Sequence, residues 1–280
     1  MQLLQTPLPK LLQHLEQARQ PRQTTGDRLT VQAVEAVQLA ALTIAQGAAF
    51  SQWDDRKTCQ QRWQTMNEWL KSADQSQCAS SDLVAAAVAI LSIRMQQPVT
   101  MIAGYDPNRL KPPIRSALAT CLAELLDHAG PQDNGDTARR SQTLAAIGIK
   151  GGWLEFDHAA YSPVSQAAMA RLEGWLGSAE AAGRIESLAN EHPKLGAVQL
   201  IWSRSLAEQG QVQQAVSAAK RVAAFAQTGS PMQLAARCQL IQLQIQSGQQ
   251  TQAQQAARLL KATQPNLSEF WSQRLEALMN

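Results

Sequence analysis

Gln209-Gly210-Gln211-Val212-Gln213-Gln214-Ala215 and Ser247-Gly248-Gln249-Gln250-Thr251-Gln252-Ala253 are two copies of one pattern. In each, a glycine closes an apolar-periodic run and an alanine-rich run opens just after it. Glycine takes the left-handed conformation that ends a helix at little steric cost, so each copy predicts a helix, a tight turn and a second helix. A helix hairpin that recurs along a chain buries its apolar faces by stacking on its neighbours. The whole stretch from Gly196 to Pro265 reads this way. Asn266 to Met279 then predicts a closing helix whose Phe270, Trp271, Leu275 and Leu278 cover the last apolar face.

Composition agrees. Of 280 residues, 45% are hydrophobic and only 5% aromatic, with alanine abundant and few runs rich in β-branched residues. Small side chains let helices approach closely, so the expected class is all-α. Glutamine is frequent, but it falls inside apolar periods and reads as helix surface. A formal charge of +3 does not by itself imply nucleic acid. Cys59, Cys78, Cys121 and Cys238 have no paired spacing, which predicts reduced, mostly buried thiols. The N-terminal residues lack the pattern of a secretory leader, and the Leu83–Ile93 run is shorter than the ~20 residues that span a bilayer. A cytoplasmic protein without a membrane role is expected.

Upstream, helices are predicted from Pro7 to about Ala18, and from about Arg28 to Gln46 with Gly47 as its end. A third runs from Asp54 to Leu70, where Cys59, Trp63, Met66 and Leu70 form a stripe. A fourth, capped by Ser80-Ser81-Asp82, is apolar on nearly every side and so central, and a fifth spans Pro113 to His128. Pro131–Arg140 is polar and turn-rich. The chain thus divides into an N-terminal helical region (1–130), an irregular stretch with a short helix (131–161) and a repeat region (162–280). Gly183, Leu188 and Pro193 suggest a shortened repeat copy.

Residues 196–265 resemble the tetratricopeptide repeat (TPR), a helix–turn–helix unit of 34 residues. Leu240, Gly248, Ala253 and Pro265 match it in the second copy, and Gly210 and Ala215 in the first. Trp202-Ser203 stands where Leu-Gly is usual, Leu206 replaces the tyrosine, and Ile241 fills a normally small position. The resemblance implies stacked antiparallel hairpins, an α-solenoid, with a concave binding face lined by the first helix of each pair. Carried over position by position, that face is Leu200, Arg204 and Glu208, then Arg237, Cys238, Gln242 and Ile245. Arg204 and Arg237 are expected to be solvent-accessible, with charges not neutralised internally.

Residues 155–191 carry six acids against Arg171 and Arg184, a net of −4, while 194–261 carry seven bases against Glu208, a net of +6. Lys220, Arg221, Arg258 and Lys261 fall late in second helices, where cations complement the helix dipole; a basic surface also attracts an acidic partner. The densest cluster of reactive groups is Lys150-Gly151-Gly152-Trp153-Leu154-Glu155-Phe156-Asp157-His158. One loop does not by itself assemble the three or four converging ligands of a metal site, or an acid–base pair around one substrate. Nor is there a phosphate-loop spacing. The sequence therefore points to a non-catalytic scaffold that binds an acidic protein or peptide, with no cofactor and no metal. An enzyme or metal-dependent protein centred on Glu155, Asp157 and His158 is the alternative, and nucleic-acid binding through the basic repeats ranks third.

Overall fold

A computed structural model of the chain describes residues 31–48, 53, 55–72, 79–97, 99, 105–128, 137–150, 153, 161–264 and 267–279. Among these, twelve α-helices and one 3₁₀ turn account for the regular structure, and no strand is present. The helices are α1 (Val31–Ala48), α2 (Arg56–Ser72), α3 (Ala79–Arg94), α4 (Pro112–His128), α5 (Thr137–Ala146) and α6 (Pro163–Trp175). They continue with α7 (Ala181–Glu191), α8 (Gly196–Glu208), α9 (Val212–Phe225), α10 (Pro231–Gln246), α11 (Gln250–Thr263) and α12 (Glu269–Met279). The predicted helix over Pro7–Ala18 lies outside the described residues, as does most of Pro131–Arg140 before α5. No described helix is long and apolar enough to cross a membrane.

From α6 onward, neighbouring helices pack in pairs whose local geometry repeats. Gly177, Gly210 and Gly248 follow α6, α8 and α10 with φ of 97°, 76° and 76°. In each case the next residue donates its N–H to the carbonyl five back: Ser178 to Glu173, Gln211 to Leu206 and Gln249 to Gln244, all at 2.9 Å. This is the Schellman closure, which satisfies carbonyls that a helix end would leave bare. The extra copy therefore turns at Gly177. Gly183, the expected turn, lies within the first turn of α7 instead. Entry is equally local. Ser162 and Ser230 precede Pro163 and Pro231, and their hydroxyls accept the Ser165 and Gln233 N–H groups at 3.2 Å, a capped start with proline at the first helical position.

The two helices of a pair differ in burial. α8 buries ten of its 13 residues, whereas α9 buries four of 14: Ala215, Ala218, Ala219 and Val222. α10 and α11 repeat the contrast, α11 burying Ala253, Ala257 and Leu260. So α6, α8 and α10 form an inner layer, and α7, α9 and α11 cover one side of it. The upstream helices meet this layer through α4, which packs on both α1 and α6. Gly47 lies inside α1 rather than ending it. A Cβ there would sit 2.1 Å from the Cys121 sulfur on α4 and 2.8 Å from the Trp53 ring, so the residue is a close-packing site.

Other expectations are corrected in detail. Asp82 is not the α3 cap; it is buried in the first turn, where it accepts the Asp106 N–H at 2.9 Å and faces the Arg109 guanidinium at 3.2 Å. Of the repeat-pattern positions, Leu206 is buried, whereas Trp202 and Leu240 are half-buried. In α12, Phe270, Trp271, Leu275 and Leu278 are buried against α10 and α11. The helix also reaches back to the N-terminal region: the Glu269 carboxylate accepts the Arg56 N–H at 2.9 Å, and the Arg94 guanidinium lies 5.0 Å from the Phe270 ring centre. One contiguous apolar cluster contains residues from Ala36 to Leu278. Cys59, Cys121 and Cys238 are buried thiols in no disulfide; Cys78 lies outside the described residues.

The turn and helix glycines make opposite predictions. Nothing lies within 4 Å of a Cβ at Gly210 or at Gly183, but Gly210 alone of the two has a left-handed backbone. Gly210→Ala should cost about 1–2 kcal/mol, whereas Gly183→Ala should stabilise by about 0.5–1 kcal/mol. Urea denaturation followed by helicity measures both; equal shifts would contradict the assignment of the turn to Gly177.

Candidate functional site

The C-terminal half of α4 is mostly apolar, yet Glu124 and Asp127 both sit within its buried run, Leu118–Asp127. Spaced three apart, they share one helix face. That face meets the inner layer. Arg171 of α6 donates to Asp127 Oδ1 at 2.7 Å, and Arg204 of α8 donates to Glu124 Oε2 at 3.1 Å and Asp127 Oδ2 at 3.2 Å. The side chains of Glu124, Asp127, Arg171 and Arg204 are all at most 5% exposed. Glu208, one turn beyond Arg204, accepts from Arg171 through both oxygens, at 2.5 and 2.8 Å, and from Arg140 of α5. Arg140 and Arg171 also lie over the Trp175 ring, at 5.0 and 4.8 Å from its centre, a favourable placement of a cation on an aromatic face.

Three guanidiniums and three carboxylates therefore balance one another among four helices. Removing any of these charges from water costs several kcal/mol, and only partners in good geometry repay it. Burial alone would raise the Asp127 carboxyl, but Arg171, Arg204 and Arg140 outweigh it and hold the pKa at about 2. Burial opposes the charged guanidiniums too, and their carboxylate neighbours more than compensate, so Arg171 and Arg204 are held above the ordinary arginine value. Asp127 and both arginines thus stay charged through the neutral range. They neither give nor take a proton there, and their chemistry is that of a structural joint.

Arg274 of α12 adjoins the network and donates to the Gln242 side-chain oxygen on α10 at 3.2 Å. Burial pulls the Arg274 guanidinium below its ordinary value. It also pushes the nearby Cys238 thiol up to about 11, against the pull of Arg274 and Arg204. Such a thiol is not a nucleophile at neutral pH.

The expected binding face is thus divided. Leu200, Arg204 and Cys238 are buried, Gln242 and Ile245 are half-buried, and Glu208 serves the network with its side chain 23% exposed. Of the two arginines expected to be accessible, Arg237 is exposed and Arg204 is not. The expectation of an accessible, un-neutralised Arg204 is overturned because its guanidinium is buried against the Glu124 and Asp127 carboxylates of α4. Glu155, Asp157 and His158 lie outside the described residues. Their neighbour Trp153 is buried, and its carbonyl accepts from Arg115 at 3.0 Å.

The outer surface has the opposite character. Lys194, Lys220, Arg221, Arg237 and Arg258 are exposed, and no described carboxylate pairs with any of them. From Lys194 to Ser268 the sequence contains one acid, Glu208, which is used inside. Lys261 alone falls in the last turn of its helix and pairs with Glu276 at 2.6 Å. Lys220, Arg221 and Arg258 lie further in, beyond the last-turn reach of the helix dipole. α7 instead exposes Glu180, at its start, with Glu186 and Glu191.

These features define an all-helical protein of paired helices joined to an upstream helical layer by a buried ion network. No protein-family model matches the chain, and neither curated proteins nor solved structures yield a match.

The network makes a stability prediction. The folded pKa of Asp127, about 2, lies below the ordinary value of about 3.9. Its contribution is therefore complete above about pH 4 and is lost as pH falls towards 2. Asp127→Asn should destabilise by about 3–5 kcal/mol, because it leaves Arg171 and Arg204 under-compensated. It should also flatten the acid limb of the stability profile between about pH 4 and 2. Urea denaturation across that range tests both, and a variant matching the parent throughout would refute the assignment.

Proposed function

We propose that this protein is a non-catalytic interaction scaffold, holding a partner protein on stacked helix hairpins of the TPR-like kind. The observation that carries this reading is the separation of charge. The one carboxylate of the 194–268 stretch, Glu208, is paired with Arg140 and Arg171, and the other exposed charges of the stretch are all positive. A surface of one sign attracts and orients a partner of the other. The repeating pair geometry supports the reading, because arrays of paired helices offer extended, rigid surfaces for binding.

Leu200 and Arg204 on α8 are buried, Arg204 against carboxylates of α4, so the partner engages exposed positions such as Arg237. The buried Arg204 maintains the fold. Arg237→Glu should therefore weaken partner association and reduce its salt dependence while leaving melting nearly unchanged. Arg204→Glu should abolish cooperative melting, since it places three carboxylates together in the interior. Tagged full-length chain, cross-linked in its source cells, is expected to retain a defined protein whose binding is reconstituted with purified components. No retained protein, or Arg237→Glu binding as the parent does, would sink this reading.

A further inference from the structure

The positive charges on the outer helices are in register. Counted from the turn glycine that precedes each helix, Lys220 of α9 and Arg258 of α11 both stand at the tenth residue. Arg221 and Leu259 both stand at the eleventh. All four are exposed. Equivalent positions on successive hairpins of a repeating array face the same way, and α9 and α11 both pack on α10, which sets the two groups of charges on one side of the layer. Arg221 is held there: its guanidinium lies 5.7 Å from the Trp202 ring centre and donates to the Gln199 side chain at 3.2 Å.

Two large apolar side chains share these helices. Leu259 is 66% exposed and Phe225 is 49% exposed, and with Leu42 on α1 they are the strongly exposed large apolar residues of the described chain. Leu259 adjoins Arg258, and Phe225 follows Arg221 by four residues, one helical turn away on the same face. Among the remaining exposed positions, Gln213, Gln214, Ser217, Gln252 and Gln255 are uncharged donors and acceptors, and Ala224 and Ala262 are small and apolar.

We infer that the outer faces of α9 and α11 dock an acidic amphipathic segment of a partner protein. Its carboxylates meet Lys220, Arg221 and Arg258, and its apolar side chains cover Phe225 and Leu259. This rests on the scaffold reading and names the chemistry of its partner. Arginine pairs with carboxylate through two parallel hydrogen bonds, which fixes geometry as well as charge, and apolar anchors inside a polar rim are the usual anatomy of a protein interface. A nucleic-acid backbone would use the cations, as phosphate contacts do, but would leave Phe225 and Leu259 in water.

The test uses the full chain and a labelled helical peptide built from Glu and Leu, with a Gln–Leu peptide and a labelled oligothymidylate beside it. The Glu–Leu peptide is expected to bind saturably and the Gln–Leu peptide not to bind. The K220E/R221E/R258E variant should weaken binding by about tenfold or more. F225Q/L259Q should weaken it several-fold, with helicity unchanged in both variants. Absence of binding, or equal binding by parent and both variants, would overturn the inference. So would tighter binding of the oligothymidylate that depends on the cations and ignores the apolar pair, which would assign the face to nucleic acid. The two readings fail separately: a cellular partner kept by K220E/R221E/R258E overturns the docking face and leaves the scaffold standing.

Discussion

Asp127 can be buried and charged because guanidiniums from two other helices reach it. Arg171 and Arg204 come from α6 and α8, separated from Asp127 by 44 and 77 residues. The pairing does what apolar contact alone does poorly, which is to specify one arrangement. Leu and Ala side chains on α4 would tolerate small slides along the inner layer. An ion network with fixed hydrogen-bond geometry does not, since each displacement exposes an uncompensated charge. Glu208 extends this control to α5 through Arg140, and the Trp175 ring lies against both of its arginines.

The rest of the architecture accommodates that joint. α8 is buried on nearly all sides because α6, α7, α9 and α10 all pack on it, and carboxylates of α4 reach its Arg204. α9 and α11 meet neighbours on one side and keep long polar faces. The same division separates the charges by role: those of α8 are spent inside the protein, and those of α9 and α11 remain available outside.

Where a single sequence can be read, the reason is local. A glycine between two helical runs has to adopt a left-handed turn, so Gly210 and Gly248 were legible. Gly177 was missed because Ser178 follows it in place of the glutamine that follows Gly210 and Gly248, while Gly183 stood in an alanine-rich run like theirs. Arg204 was placed on the face expected from the repeat resemblance, but what covers that face lies some 80 residues upstream. No periodicity connects Glu124 to Arg204. Two acids inside an otherwise apolar run were the available signal, since a buried carboxylate requires a cation somewhere. The exposed cations could be counted in the sequence, but deciding whether they sat in the last helical turn required the helix ends.

The hydrogen bond from the Arg56 N–H to Glu269, together with Arg94 over Phe270, joins groups more than 170 residues apart. An array whose units touch only adjacent units can nucleate anywhere and grow outward. A chain whose far end caps an early helix has long-range contacts to close, and loop closure is paid for before those contacts reward it. During synthesis, α2 and α3 leave the ribosome long before α12 exists to cover them. The early helices are thus a waiting surface for the late one, and their packing is completed only once α12 has been made.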